Sequence, residues 1–180
     1  MKFLKGCLIT LIIFVGICII GWFLFANNVK ENLENLNRNA KQNWEKYTEN
    51  LKERNAELTQ QNFKSDSLKY YWKKAKSISV SECSEELELN EYKINQFVMS
   101  DSLKSNVDNE INLKLDNYNQ TVKAYNEYRH TFPNSLIARK TQFPKYLKYF
   151  DYRYGVDNES AMIRKMKRKD WVKNGGAYPQ

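Results

Sequence analysis

Residues 103–133 read LKSNVDNEINLKLDNYNQTVKAYNEYRHTFP, and their apolar positions step by four and three: Leu103, Val107, Ile111, Leu115, Tyr118, Val122, Tyr125 and Phe132, with a gap at Arg129. That spacing returns to one face of a 3.6-residue helix and excludes the two-residue alternation of a half-buried strand. Pro133 lacks an N–H and terminates the pattern. A stripe of this length cannot remain solvated, so it needs partners of the same kind.

Upstream of it the chain supplies them. Between Trp22 and Phe132 there is no Gly and no Pro, which suits long helices and not a turn-rich β domain. A second stripe runs through Val29, Leu33, Leu36, Ala40, Trp44, Tyr47, Leu51 and Leu58, a coiled-coil type of spacing interrupted by Arg54. A shorter helix is predicted from about Gln60 to Lys76, carrying Leu68, Tyr71, Trp72 and Ala75 on one face. The serines at 77, 79 and 81 end it, and Ser84 ahead of Glu85, Glu86 and Glu88 starts another over Glu85–Met99. An alternating strand over Ile78–Cys83 is the other reading, although a lone strand would have nothing to pair with.

The first stripe is preceded by CLITLIIFVGICIIGWFLFA, residues Cys7 to Ala26, an uncharged run of 20 residues. At about 1.5 Å per residue it makes a helix of roughly 30 Å, the thickness of a bilayer's hydrocarbon core. A cleaved signal is the competing reading. Leu24-Phe25-Ala26 has no small residue at the −3 position, however, and Ile17 spoils a lipoprotein box at Cys18. The run therefore reads as an uncleaved anchor that passes directly into the first stripe. The fold class expected is all-α, an N-terminal transmembrane helix continuing into an antiparallel three- or four-helix bundle. The location is the cell membrane, single-pass. Lys2 and Lys5 before the span nearly balance Lys30, Arg38 and Lys41 after it, so the positive-inside rule leaves the side of the bundle open.

Three regions follow: an anchor over 1–27, a helical bundle over 28–157 and a basic tail over 158–180. The aromatic-rich stretch Phe143, Tyr146, Tyr149, Phe150, Tyr152 and Tyr154 is expected to fold back along the bundle as core cover, with a ligand or membrane-interface role as the lesser reading. Much of the net charge of +8 lies in the tail, in Arg164, Lys165, Lys167, Arg168, Lys169 and Lys173 around Trp171. Those cations form either a solvated helix face or a patch that meets anionic lipid or nucleic acid.

Catalytic and metal-binding chemistry find little purchase. His130 is the single imidazole and sits at a predicted helix end, where it reads as a C-terminal charge; no Ser–His–Asp or Cys–His constellation can be built around it. Cys7 and Cys18 fall inside the apolar run, which leaves Cys83 without a disulfide partner in the polar part. The acids Glu82, Glu85, Glu86 and Glu88 lack the spacing of a calcium loop and read as a helix start. No catalytic residue, cofactor or metal site is expected.

Residues 111–143, INLKLDNYNQTVKAYNEYRHTFPNSLIARKTQF, carry a distinct signature. Tyr118-Asn119 is followed by Val122, by Tyr125-Asn126 seven residues after the first pair, by Phe132-Pro133 after another seven, and then by Ala138 and Phe143. This series resembles the LemA family, with weaker support from Trp44, Leu51, Arg54 and Leu58 behind a membrane span. The resemblance implies a bacterial membrane protein with a helical bundle, and it implies no known reaction. Asn119 and Asn126 share a helix face; they are expected to bond a neighbouring helix, or, for Asn126, the turn at Pro133. The function expected is a non-enzymatic scaffold or protein-interaction module with an unknown protein partner; the alternative is anionic lipid or nucleic-acid binding through the tail, with nucleic acid the less favoured. Homo-oligomerisation through the long first helix is compatible with either, without a GxxxG pattern to support it.

Overall fold

The computed structural model describes residues 2–174, with side chains from 9 to 170 and at 174. They form six helices and, among the described residues, no strand. These are α1 (Lys2–Thr59), α2 (Asp66–Ala75), α3 (Glu85–Ser100), α4 (Asp108–His130), α5 (Asn134–Ala138) and α6 (Glu159–Asn174). The all-α class is as expected, and so is the unbroken passage of the apolar run into the first stripe. Asn27 and Asn28 do not interrupt α1, where Asn32 donates to Asn28 across one turn at 2.7 Å.

The N-terminal part of α1 is apolar on every side. Ile9, Phe14, Ile17, Phe23 and Leu24 are all more than half exposed, and no part of its most apolar window is covered by protein. By length and composition it can cross a membrane.

The chain divides into two compact units, the first of residues 1–39 and 123–147, the second of 40–122 and 148–180. In the first, Val29 and Leu33 of α1 pack with Tyr125 of α4 and with Ile137 and Ala138 of α5. Phe25, Ala26, Phe143 and Leu147 close around that cluster.

In the second unit, α2 runs antiparallel to α3, and α1 to α4. Ser65 at the start of α2 is tied to Asp101 just past the end of α3, while Lys74 at the end of α2 meets Glu86 at the start of α3. Arg54 near the end of α1 meets Asp108 at the start of α4, and Trp44 further back packs on Tyr118 further on. Leu58, Leu68, Ile94 and Val98 form one apolar cluster. A second, aromatic core joins Trp44, Tyr47, Phe150, Tyr152 and Tyr154, with neighbouring ring centroids 4.8–6.5 Å apart. The aromatic-rich stretch thus fills core as expected of Phe150, Tyr152 and Tyr154, whereas Tyr146 stays 55% exposed.

Three boundaries differ from the sequence reading. The helix expected from Gln60 starts at Asp66, because α1 runs to Thr59 and then tightens into short-range turn bonds at Gln60 and Gln61. Ser65 is the residue whose side chain caps α2, accepting the Leu68 N–H. Leu103 and Val107 lie before α4 and not within it: Gln61 holds Lys104, and Glu57 accepts from Ser105 and from the Asn106 N–H, which pins that stretch as a loop. The third difference is small, α3 ending at Ser100 with its start capped by Ser84 as expected.

Candidate functional site

Arg54 and Arg129 looked like interruptions of two apolar stripes, yet both lie in register with them, and a charged side chain at such a position is either bent outward or matched from another element. Both are matched. Arg54 has no exposed surface. Its Nε donates to Asp108 at 3.2 Å, its Nη1 stands 3.7 Å from Glu91, and its guanidinium lies over the Tyr154 ring at 4.4 Å. Tyr154 in turn shares a 2.7 Å hydroxyl bond with Tyr47 and reaches Glu91 at 3.4 Å. Burial pushes the carboxyl of Glu91 above its ordinary range, against the pull of Arg54. Burial works against the charge of Arg54, and Tyr154, Glu91, Tyr152 and Asp108 together offset it. The two acids supplied to it are therefore a device for tolerating one buried cation, held at the centre of the second unit.

A second polar system is carried by asparagines. Residues 147–153 belong to no helix or strand and 154–156 turn, so their backbone groups need other bonds. Within the second unit, Asn119 of α4 accepts the Phe150 N–H at 3.0 Å and donates to the Phe150 carbonyl at 2.9 Å. Asn112, two turns earlier, does the same for Tyr154 at 2.9 and 3.0 Å. Asn95 of α3 takes the Gly155 N–H and gives to the Val156 carbonyl. Seven helical residues rise about 10.5 Å, while four extended ones reach at most about 13 Å, so the segment keeps pace with the helix after slight slack. Within the first unit Asn126 brackets Leu147 in the same way, both bonds 2.9 Å. A primary amide offers one donor and one acceptor side by side, which is what the edge of a strand presents.

Asn119 and Asn126 therefore satisfy extended backbone, not a neighbouring helix, and Asn126 does not bond the turn at Pro133. Of the other signature positions, Tyr118 donates to the Lys148 carbonyl and Tyr125 to the Pro144 carbonyl. Val122 and Ala138 are buried, and Phe143 packs on the first unit's cluster. Pro133 follows a cis peptide bond, and Phe132 is 75% exposed. Asn112 was missed by sequence reasoning although it stands seven residues before Asn119.

The basic tail is α6 over most of its length. Lys165 bonds both carboxylate oxygens of Glu88, at 2.6 and 2.7 Å, and approaches Asp151 at 3.1 Å. Lys169 pairs with Glu85. Arg164, Lys167 and Arg168 are exposed, whereas the side chains of Trp171 and Lys173 lie outside the described residues. The acids at the start of α3 thus serve as docking points for α6 and for Lys74; among the described residues no His, Cys, Asp and Glu cluster could hold a metal. His130 closes α4, its Nδ1 2.7 Å from the Asn126 carbonyl. The Cys83 thiol faces the Tyr149 carbonyl at 3.8 Å, and burial pushes it up to about 12, which removes it as a nucleophile near neutral pH.

Residues 80–162 match the family model described as the LemA family. No curated protein and no solved structure matches the chain.

Proposed function

The chain belongs to the LemA family, and from that premise we propose that it is a single-pass protein of a bacterial cell membrane whose helical part serves as a non-enzymatic interaction module. The observation that carries the reading is the N-terminal part of α1, apolar around its whole circumference and uncovered by protein, a surface that suits hydrocarbon and not water. The pairing of the buried polar groups supports a structural role for the interior: Arg54 bonds Asp108 and stands beside Glu91, and Tyr47 bonds Tyr154. A protein partner would have exposed apolar positions to use, Leu89 on α3 and Leu113 on α4.

Membrane fractions washed with alkaline carbonate test the anchor, which predicts retention in the pellet; release overturns it. Photo-crosslinking residues at Leu89 and Leu113 test the module in intact cells. A discrete crosslinked product from at least one of them is expected, and none from either overturns the interaction reading. Binding of anionic lipid or nucleic acid through α6 is the second reading, supported by the exposure of Arg164, Lys167 and Arg168; Lys165 and Lys169 are already engaged within the protein. Truncation at Asn158 abolishes such binding if the tail carries it and leaves it intact if not.

A further inference from the structure

Between Arg129 and Lys145 the chain has five basic or imidazole side chains, at 129, 130, 139, 140 and 145, and no acid. Four of them, Arg129, His130, Arg139 and Lys145, line a single hollow of about 720 Å³ with Thr141 and Gln142 as hydrogen-bonding neighbours. Its lining contains no carboxylate. Arg129 is nearly buried at 6% exposure and is braced by a bond to the Thr141 hydroxyl. A concave surface with this donor set and no acceptor charge selects an anion with several oxygens, of which phosphate is the type best matched to guanidinium forks.

The hollow also has an address. Ala138 and Phe143 line it and belong to the cluster on which Phe25 and Ala26 pack, and those two close the apolar run of α1. With residues 7–26 as the span, Phe25 and Ala26 stand at the edge of the hydrocarbon, and the unit that carries the hollow begins at the polar layer, which adds only about 5–8 Å on each side. Phe132 and Leu136, in the same segment, expose 75% and 42% of their surface, a wasteful arrangement in water and an ordinary one for side chains dipping into the interface. We propose that the hollow lined by Arg129, Arg139 and Lys145 is a headgroup site for an anionic phospholipid, with Phe132 and Leu136 seated beside it in the membrane interface. The proposal rests on the reading of residues 7–26 as a span, and it is distinct from binding through α6.

The full chain in a non-ionic detergent is titrated with phosphatidylglycerol, phosphatidylcholine and inorganic phosphate while thermal unfolding is followed, since a ligand of the native state raises the midpoint. Phosphatidylglycerol is expected to raise it in a saturable way and phosphatidylcholine is not. The variant Arg139→Gln/Lys145→Gln, which touches two exposed side chains, should bind about thirtyfold more weakly. Phe132→Ser gives an independent loss should the double variant fail to fold, and Arg164→Gln/Lys167→Gln/Arg168→Gln should bind as the parent does. Equal effects of the two lipids, or undiminished binding by both hollow variants, overturn the site. Inorganic phosphate matching the lipid at equal concentration overturns the lipid as its source. Carbonate release of the chain from membranes would sink the anchor reading itself, whereas retention with no phosphatidylglycerol effect removes the headgroup site alone.

Discussion

The side-chain amide of Asn119 closes both backbone hydrogen bonds of Phe150, a residue with no exposed surface. One side chain thus does for an extended segment what a neighbouring strand would do. Replacing it by Ala leaves a buried N–H and a buried C=O unmet, each worth about 1–3 kcal/mol. Asn119→Ala is expected to cost about 2–4 kcal/mol in denaturant unfolding of the detergent-solubilised chain, with faster amide exchange at Phe150. Asn119→Asp should recover only part, since a carboxylate accepts the N–H and repels the carbonyl. Unchanged stability in the Ala variant would contradict the bracket.

Arg54 and Glu91 are matched charges with almost no exposed surface. Removing the cation alone strands a buried acid, so Arg54→Leu is expected to destabilise by about 3–5 kcal/mol. Arg54→Leu/Glu91→Leu should return a large part of that loss, measured as a coupling energy in a double-mutant cycle. Additive effects would mean that the two residues do not sense each other.

Gly155 takes a φ of +72°, and a Cβ placed there would stand 3.1 Å from Oδ2 of Asp108, the acid that holds Arg54. The left-handed backbone costs a non-glycine residue about 1–2 kcal/mol before any crowding. Gly155→Ala should therefore lower the thermal midpoint more than Val156→Ala, an exposed neighbour.

The docking of α6 has a pH signature. The hydrogen bond from Lys169 holds Glu85 below its ordinary value of 4.5. A depressed acid contributes stability that is present above that ordinary value and is lost as pH falls through the lower folded value. Burial works against the charge of Lys165, but its bonds and attraction to Glu88 and Asp151 together raise it above its ordinary 10.5; its contribution is full below 10.5 and lost as pH rises through the raised value. The protection of α6 amides, relative to unstructured peptide at the same pH, should hold between these limits and fall outside both, while Lys165→Met/Lys169→Met lowers it at neutral pH as well.

Cys83 is the native thiol a topology experiment would reach for, and its burial argues against it. Maleimide labelling at pH 7 should be at least tenfold slower than at a cysteine placed at Asn109, an exposed position on the first turn of α4. Asn109→Cys then reports the side of the membrane; rapid labelling of Cys83 in the folded protein would show that its cover opens.

The stripes were legible because helix burial repeats every three or four residues, and the all-α class follows from them. Arg54 and Arg129 were not, because pattern alone cannot tell a break in a stripe from a buried charge. The answer depends on whether Glu91, Asp108 and Tyr154, or Thr141, arrive from elsewhere in the chain. The asparagine series showed its spacing but not its partner, since an extended segment without a ladder has no periodicity of its own to read. The basic run from Arg129 to Lys145 straddles a helix end, a cis proline and a short helix, so its convergence on one hollow is a property of the turn and not of any repeat. In the tail the sequence showed the charges but not that two of them were already matched.

The pairing of Tyr47 with Tyr154 spans 107 residues, and it sets a schedule for the protein's birth. A ribosome adding roughly 5–20 residues per second emits Tyr154 some 5–20 s after Tyr47. For that interval Arg54 has no aromatic roof and the asparagines of α4 have no backbone to hold, while α1 is already available to the membrane. A nascent chain in this state leaves open to solvent the surfaces that Phe150, Tyr152 and Tyr154 cover in the finished protein.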